Sequence, residues 1–167
     1  MTDPNGIDIK KLITVPAIIT AVVTIVRLLA EFGNLPSWLA SKEAGGGGAV
    51  IGITWLAPIF AVYFATKLIG ASGTFWKNLA RTLFYYGLAA RIPVIIIMGL
   101  AIFGNWGTHY DAFPPDFPAT SAAGKFLLGG GGAQLVVWVG IWTVGVGTLV
   151  GVIASKILGA KSATARA

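Results

Sequence analysis

The chain has 167 residues, of which 56% are hydrophobic and 11% are charged, and its mean hydropathy is +0.81. Soluble domains carry about 25% charged residues, so this composition excludes an ordinary soluble protein. It also excludes a disordered chain, which would be poor in apolar residues and rich in charge. The formal net charge of +6 is typical of the charge asymmetry of membrane insertion. We therefore expect an all-α integral membrane protein whose partner is the lipid bilayer and not a nucleic acid.

Four apolar segments predict membrane helices, because a helix needs about 20 apolar residues to cross the hydrocarbon core. In chain order they cover about 12–32, 49–66, 83–103 and 134–154. The sequence Phe-Gly-Asn at 32–34 and at 103–105 predicts the ends of the first and third helices, since glycine adopts the left-handed conformation that often stops a helix. Pro58 lies inside the second segment and is expected to leave the Thr54 carbonyl in need of another partner.

The two halves of the chain resemble each other. A shift of 71 residues places Lys10 on Arg81 and the first Phe-Gly-Asn on the second, and each half contains four glycines followed by alanine, at 45–49 and 129–133. These matches predict a four-transmembrane-helix bundle built by tandem duplication of a two-helix hairpin. The alternative is that the two halves acquired similar helix-ending sequences independently, without duplication. The predicted parts are a first repeat at 1–71, a connector at 72–81, a second repeat at 82–160 and a basic tail at 161–167.

The distribution of basic residues predicts the orientation. Each repeat holds two helices, so both repeats enter the membrane from the same side and are parallel rather than inverted. Only Lys42 and Lys125 lie in the loops opposite the termini. Eight basic residues lie on the side of the termini: Lys10, Lys11, Lys67, Lys77, Arg81, Lys156, Lys161 and Arg166. The positive-inside rule then predicts that both termini are cytoplasmic (N-in and C-in), in the plasma (inner) membrane.

The second helix of each repeat carries small residues at four-residue spacing. They are Ala57, Ala61 and Ala65 in one repeat, and Thr143, Gly147, Gly151 and Ser155 in the other. Small residues let membrane helices approach closely. Two interpretations remain open: the stripes pack against each other inside the bundle, or one of them forms a homo-oligomer interface.

The predicted outer loop at 104–128 is long, and loops beyond about 15 residues are often functional. Its candidate residues are His109, Tyr110, Asp111 and Asp116, together with Glu43 from the first repeat. A histidine with carboxylates can hold a divalent cation or transfer protons. Local hydrogen bonding is the alternative. The chain has no cysteine and a single histidine, which excludes thiolate and bis-His sites within one chain. We expect no cofactor, no metal and no catalytic residue.

Three ionisable residues lie inside the predicted helices. Arg27 and Glu31 are four residues apart, so they share a helix face near the outer end and can pair. Arg91 lies near the bilayer midplane, where a cation facing lipid is costly, and no carboxylate is predicted at its depth. It either snorkels to the cytoplasmic headgroups or serves as an interior cation that binds an anion or gates a pathway. Thr54 and Thr143 are its predicted neighbours.

These features favour a non-enzymatic membrane protein. The first hypothesis is a pathway for a small solute or an ion that is completed by oligomerisation, since four helices alone enclose little space. The alternative is an accessory or scaffold subunit of a larger membrane complex. A membrane enzyme or metal-binding protein that uses the 104–128 loop is the third hypothesis.

Overall fold

The computed structural model describes residues 6–33, 35–43, 50–71 and 73–164, with side chains to residue 158. Its regular structure is helical. Helix α1 is Ile9–Phe32, α2 is Leu56–Leu68 and α3 is Phe75–Gly104. Helix α4 consists of three consecutive parts: Ala122–Lys125 is α-helical, Phe126–Val146 is π-helical, and Gly147–Thr164 is α-helical again. The first glycine quartet lies outside the described residues.

Three of these helices are long and apolar enough to cross a membrane: Ile9–Phe32, Phe75–Gly104 and Ala122–Leu158. The chain is therefore an integral membrane protein with an all-helical architecture that is compatible with a membrane bundle. Helix α2 has 13 residues and is about 20 Å long at 1.5 Å per residue. It is shorter than the hydrocarbon core, which is about 30 Å thick.

Helix α2 begins at Leu56, whereas the apolar segment predicts a helix from 49. Pro58 accounts for the difference. A proline ring clashes with the carbonyl four residues earlier unless the proline lies in the first turn of a helix, and Pro58 is the third residue of α2. The residues before the helix, Ile51–Trp55, are not helical. Non-helical backbone at membrane depth is tolerated where it lies in protein or lines a cavity.

Helix α4 begins at Ala122, twelve residues before the predicted start at 134, so part of the predicted outer loop is helical. Ser121 caps it by accepting a hydrogen bond from the N–H of Gly124, at 3.1 Å. The second glycine quartet lies inside this helix and not at its start. A side chain at Gly129 would collide with the ring of Phe113, and one at Gly130 would come within 2.9 Å of Phe126. The glycines therefore let aromatic rings pack directly on the helix backbone.

The first and third helices end where the Phe-Gly-Asn sequences lie, but not by the predicted use of glycine. Helix α1 ends at Phe32, and Gly33 has φ −73°, which any residue can adopt. Helix α3 ends at Gly104, and the left-handed residue is Asn105, with φ 49°. Asparagine tolerates this conformation better than most side chains, so here asparagine replaces glycine as the stop signal.

Two pairs of helices run parallel, α1 with α3 and α2 with α4, and α3 also packs extensively against α4. Helices α1 and α3 run side by side: the hydroxyls of Thr20 and Tyr86 are 2.8 Å apart, and the rings of Phe32 and Trp106 are 5.6 Å apart near the ends of both helices. Helix α2 lies against the last part of α4, where Ala61 contacts Gly147 and Gly151.

One half of the bundle has a closely packed interior. Phe60, Phe64 and Tyr86 stack edge to face with ring centroids 5.4 and 5.5 Å from Tyr86. A side chain at Gly147 would lie 3.1 Å from Leu83, and one at Gly151 would lie 2.5 Å from Leu79 and 3.1 Å from the Ala61 carbonyl. Ala57, Ala61 and Ala65 are also buried. Ala61, Gly147 and Gly151 thus face neighbours within the chain.

Candidate functional site

The other half of the bundle contains a cavity of about 340 Å³. Helices α1, α3 and α4, the non-helical segment Ile51–Trp55 and the 105–121 loop all contribute to its walls. Its polar lining is supplied by Thr24, Arg27, Thr54, Arg91, His109, Tyr110 and Gln134. Small-molecule pockets measure about 300–1,000 Å³, so this cavity is large enough for a small ligand.

Arg27 is buried and uses its guanidinium to hold three parts of the chain together. Its Nε donates to Glu31 at 2.6 Å, Nη1 donates to the Ile51 carbonyl at 2.6 Å, and Nη2 donates to the Ser41 carbonyl at 2.6 Å. The residue is 4% exposed. Arg27 is therefore held inside the bundle by these contacts. It fixes the segment that forms one wall of the cavity.

Glu31 joins α1 to the 105–121 loop. It is fully buried and, besides its contact with Arg27, accepts a hydrogen bond from the backbone N–H of His109 at 2.8 Å. The Nδ1 atom of His109 contacts Oε1 of the same carboxylate. The predicted Arg27–Glu31 pair is present. His109 joins this pair to form a cluster of three residues, whereas the sequence alone groups His109 with the other candidates of the 104–128 loop. The charge of Arg27 is neutralised inside this cluster.

Arg91 differs from Arg27 in its partners. It is 6% exposed, and its Nη1 donates to the amide oxygen of Gln134 at 3.2 Å, while its guanidinium carbon lies 4.8 Å from the ring centre of Trp138. Within the described parts of the chain, this is its single hydrogen bond, and no carboxylate pairs with it. A guanidinium has five N–H donors. The structure thus leaves a buried cation with unused donors in the wall of a cavity.

Arg91 lies near the middle of α3, and the cavity extends from it to the 105–121 loop. Arg91 is 16 residues from the start of α3 and 13 from its end, or about 24 Å and 20 Å at 1.5 Å per residue. The ring of Trp138 lies beside the guanidinium on the α4 side. Arg91 is thus buried inside the bundle.

Sequence reasoning missed Gln134 as the partner of Arg91. The apolar pattern predicts a fourth helix that begins at this residue, the chain's single glutamine. Because α4 begins at Ala122, Gln134 lies three turns inside it, with Nε2 3.4 Å from the sulfur of Met98. A lone amide in an apolar run was the available signal, because such a group needs an interior partner.

The two predicted neighbours of Arg91 have other partners. Thr54 lines the cavity, and its carbonyl accepts a hydrogen bond from Nε1 of Trp142 at 2.9 Å, which supplies the partner that Pro58 made necessary. Thr143 is buried outside the cavity. Its hydroxyl donates to the Trp138 carbonyl at 2.7 Å, and its methyl group packs on Gly87 of α3.

The remaining loop candidates have mainly local roles. Asp111 accepts hydrogen bonds from the N–H groups of Gly107 and Thr108, at 2.9 and 2.7 Å, and so shapes the turn that presents His109. Asp116 and Glu43 are exposed. Tyr110 is buried beside His109, and burial, assisted by the negative charge of Glu31, raises the pKa of Tyr110 to about 12. Its phenol is therefore neutral at physiological pH.

No cluster of three His, Asp or Glu side chains able to hold a metal ion occurs in the residues that the structure describes. The arrangement is instead suited to binding an anion, since a desolvated guanidinium forms strong charge-assisted hydrogen bonds with carboxylates and other oxyanions. No protein-family model, curated protein or solved structure matches the chain. The site's geometry is therefore the basis for the functional proposal.

Proposed function

We propose that the protein is a non-enzymatic membrane bundle that binds a small anionic solute in the cavity as one step of a pathway across the membrane. The observation that carries this proposal is Arg91. A cation at this depth costs at least about 2.5 kcal/mol when it faces lipid, and Arg91 has one neutral hydrogen-bond partner among the described residues. An anion that enters the cavity would complete its hydrogen bonding and neutralise its charge.

The contrast with Arg27 supports this assignment. Arg27 lines the same cavity, but its donors bind a carboxylate and two carbonyls. It therefore holds the wall in place and leaves Arg91 as the cation available to a solute. The non-helical wall at Ile51–Trp55 adds to the case, because non-helical backbone at membrane depth is tolerated where it lines a cavity.

The topology and assembly belong to the same proposal. The parallel pairing of α1 with α3 and of α2 with α4 is the arrangement expected of two duplicated hairpins with four helices. The excess of lysine and arginine on the side of the termini supports an N-in, C-in orientation in the plasma (inner) membrane. A single bundle has one closely packed half, so we propose that oligomerisation completes the pathway.

An accessory or scaffold role in a larger membrane complex is the second candidate. The closely packed half and the mostly exposed apolar surface of α1, whose span is 22% buried, favour it. The contacts of the loop do not favour the enzymatic alternative, since His109 and Asp111 are engaged in holding the loop itself.

Anion flux into liposomes tests the proposal. The purified protein is reconstituted into vesicles that contain an anion-sensitive dye, and gradients of chloride, acetate and benzoate are applied in turn. We expect flux of at least one anion, which Arg91→Gln abolishes. The matched control Lys77→Gln removes one positive charge from an exposed position on the same helix and should leave the flux unchanged. Absence of flux for every anion, or equal flux in Arg91→Gln, would overturn the pathway proposal.

A further inference from the structure

The lining of the cavity also restricts the kind of anion that it fits. Besides its polar groups, the cavity is bordered by five aromatic side chains: Trp55, Tyr110, Phe113, Phe117 and Trp138. Chloride and other small inorganic ions have no apolar part that could contact these rings. The cation of the cavity without a carboxylate partner among the described residues is Arg91, and aromatic rings border much of the remaining space.

The charge of the site restricts the ligand further. Glu31 and Arg27 form a pair, and Arg91 is the one cavity-lining cation without a carboxylate partner among the described residues. One uncompensated positive charge at low dielectric balances one negative charge, and a second charge on the ligand would be buried without a partner. The ligand is thus expected to be a monoanion.

The arrangement of the rings indicates where the rest of the ligand lies. Trp138 covers one face of the Arg91 guanidinium at 4.8 Å. Phe113 and Phe117 form a tilted pair with centroids 4.6 Å apart, on the loop side of the cavity. Aromatic rings prefer offset or edge-to-face contacts with other rings, so the space between these groups suits a flat ring better than a flexible chain.

We infer that the cavity binds an aromatic monocarboxylate, with the carboxylate on Arg91 and the ring among Phe113, Phe117 and Trp138. This inference rests on the proposed function and names its ligand class. The Gln134 amide, which already bonds Nη1 of Arg91, holds the guanidinium so that its other nitrogens face the carboxylate. Arg91 is the binding residue and Gln134 is a positioning residue.

Isothermal titration of the purified protein in detergent micelles tests the inference with six probes. Benzoate has both the charge and the ring, acetate and chloride lack the ring, benzamide lacks the charge, terephthalate carries a second charge, and octanoate replaces the ring with a chain. We expect benzoate to bind at least about tenfold more tightly than each of the others. Arg91→Gln should abolish benzoate binding, Arg91→Lys should restore part of it, and Lys77→Gln should have no effect.

Phe117→Leu keeps the test decisive if Arg91→Gln does not fold, because this change removes a ring without altering charge. It should weaken benzoate binding by about threefold to tenfold and leave acetate binding unchanged. Acetate or chloride binding that matches benzoate and depends on Arg91 would overturn the aromatic assignment while leaving the pathway proposal intact. Tighter binding of octanoate would assign the site to acyl chains and also overturn it. Equal benzoate binding by wild type and Arg91→Gln would show partition into apolar space, which contradicts the inference.

Discussion

Arg27 and Arg91 are both buried and line the same cavity, but they differ in their hydrogen-bond partners. Arg27 is near the end of α1, and each of its three nitrogens donates to an oxygen at 2.6 Å. Arg91 is at mid-depth in α3, with one longer hydrogen bond to a neutral amide and an aromatic face beside it. Both residues are at least 94% buried, since they are 4% and 6% exposed. Burial alone therefore does not distinguish them.

The difference lies in how completely the protein satisfies each cation. A buried charge that is paired and fully hydrogen-bonded can hold a structure together, whereas a buried charge with unused donors carries an uncompensated desolvation cost. The region of Arg27 thus has the properties of a structural joint between α1, the Ile51–Trp55 wall and the 105–121 loop. The region of Arg91 has donors available to a solute in the cavity, as the proposed anion site requires.

Removing the carboxylate of the first region should have the largest effect. Glu31→Gln leaves Arg27 buried without its counter-charge and weakens the attachment of the loop at His109. Breaking a buried ion pair from one side costs about 3–5 kcal/mol, so we expect a loss of at least about 3 kcal/mol in the free energy of unfolding in mixed detergent micelles. The exposed Glu43→Gln is the matched control and should change it by less than about 0.5 kcal/mol. Equal stability of the two variants would contradict the structural role of the first region.

A smaller loss is expected where the bundle is packed without charges. A leucine at Gly151 would overlap Leu79 and the Ala61 carbonyl, and overpacking typically costs about 1–3 kcal/mol. Gly140→Leu on the exposed side of α4 meets nothing nearer than the Leu135 carbonyl of its own helix, at 3.6 Å, and should be tolerated. The unfolding free energies of both variants check this. If Gly140→Leu is the more destabilising change, the stripe does not face the bundle as described.

Much of the helical architecture was predictable from the sequence, because apolar length and helix-stopping residues are local signals. The first and third helices end at Phe32 and Gly104, beside the two Phe-Gly-Asn sequences. The start of α2 is also encoded locally, by Pro58, but the length of the apolar segment predicts a helix that begins earlier, at 49. The early start of α4 was hidden by a glycine run that is typical of loops. Here that run stays helical because Phe113 and Phe126 pack against it.

The site was less predictable, since its contacts join residues that are distant in the sequence. Arg27 and Glu31 could be paired from their spacing alone, and Arg91 was identified from its depth in an apolar helix. The contact between Glu31 and His109 spans 78 residues, and that between Arg91 and Gln134 spans 43. No local pattern indicates either one. Tandem duplication and orientation remain predictions.

The stability of Arg91→Gln in the absence of any anion tests the central claim most directly, because it asks whether the protein itself needs this cation. The substitution keeps a polar side chain near Gln134 and removes a charge that has no protein counter-ion among the described residues. We expect the free energy of unfolding to stay within about 1 kcal/mol of the wild-type value, or to rise, since the desolvation cost disappears. A loss of about 3 kcal/mol or more, comparable to that of Glu31→Gln, would show that Arg91 is a structural residue like Arg27 and would contradict the account.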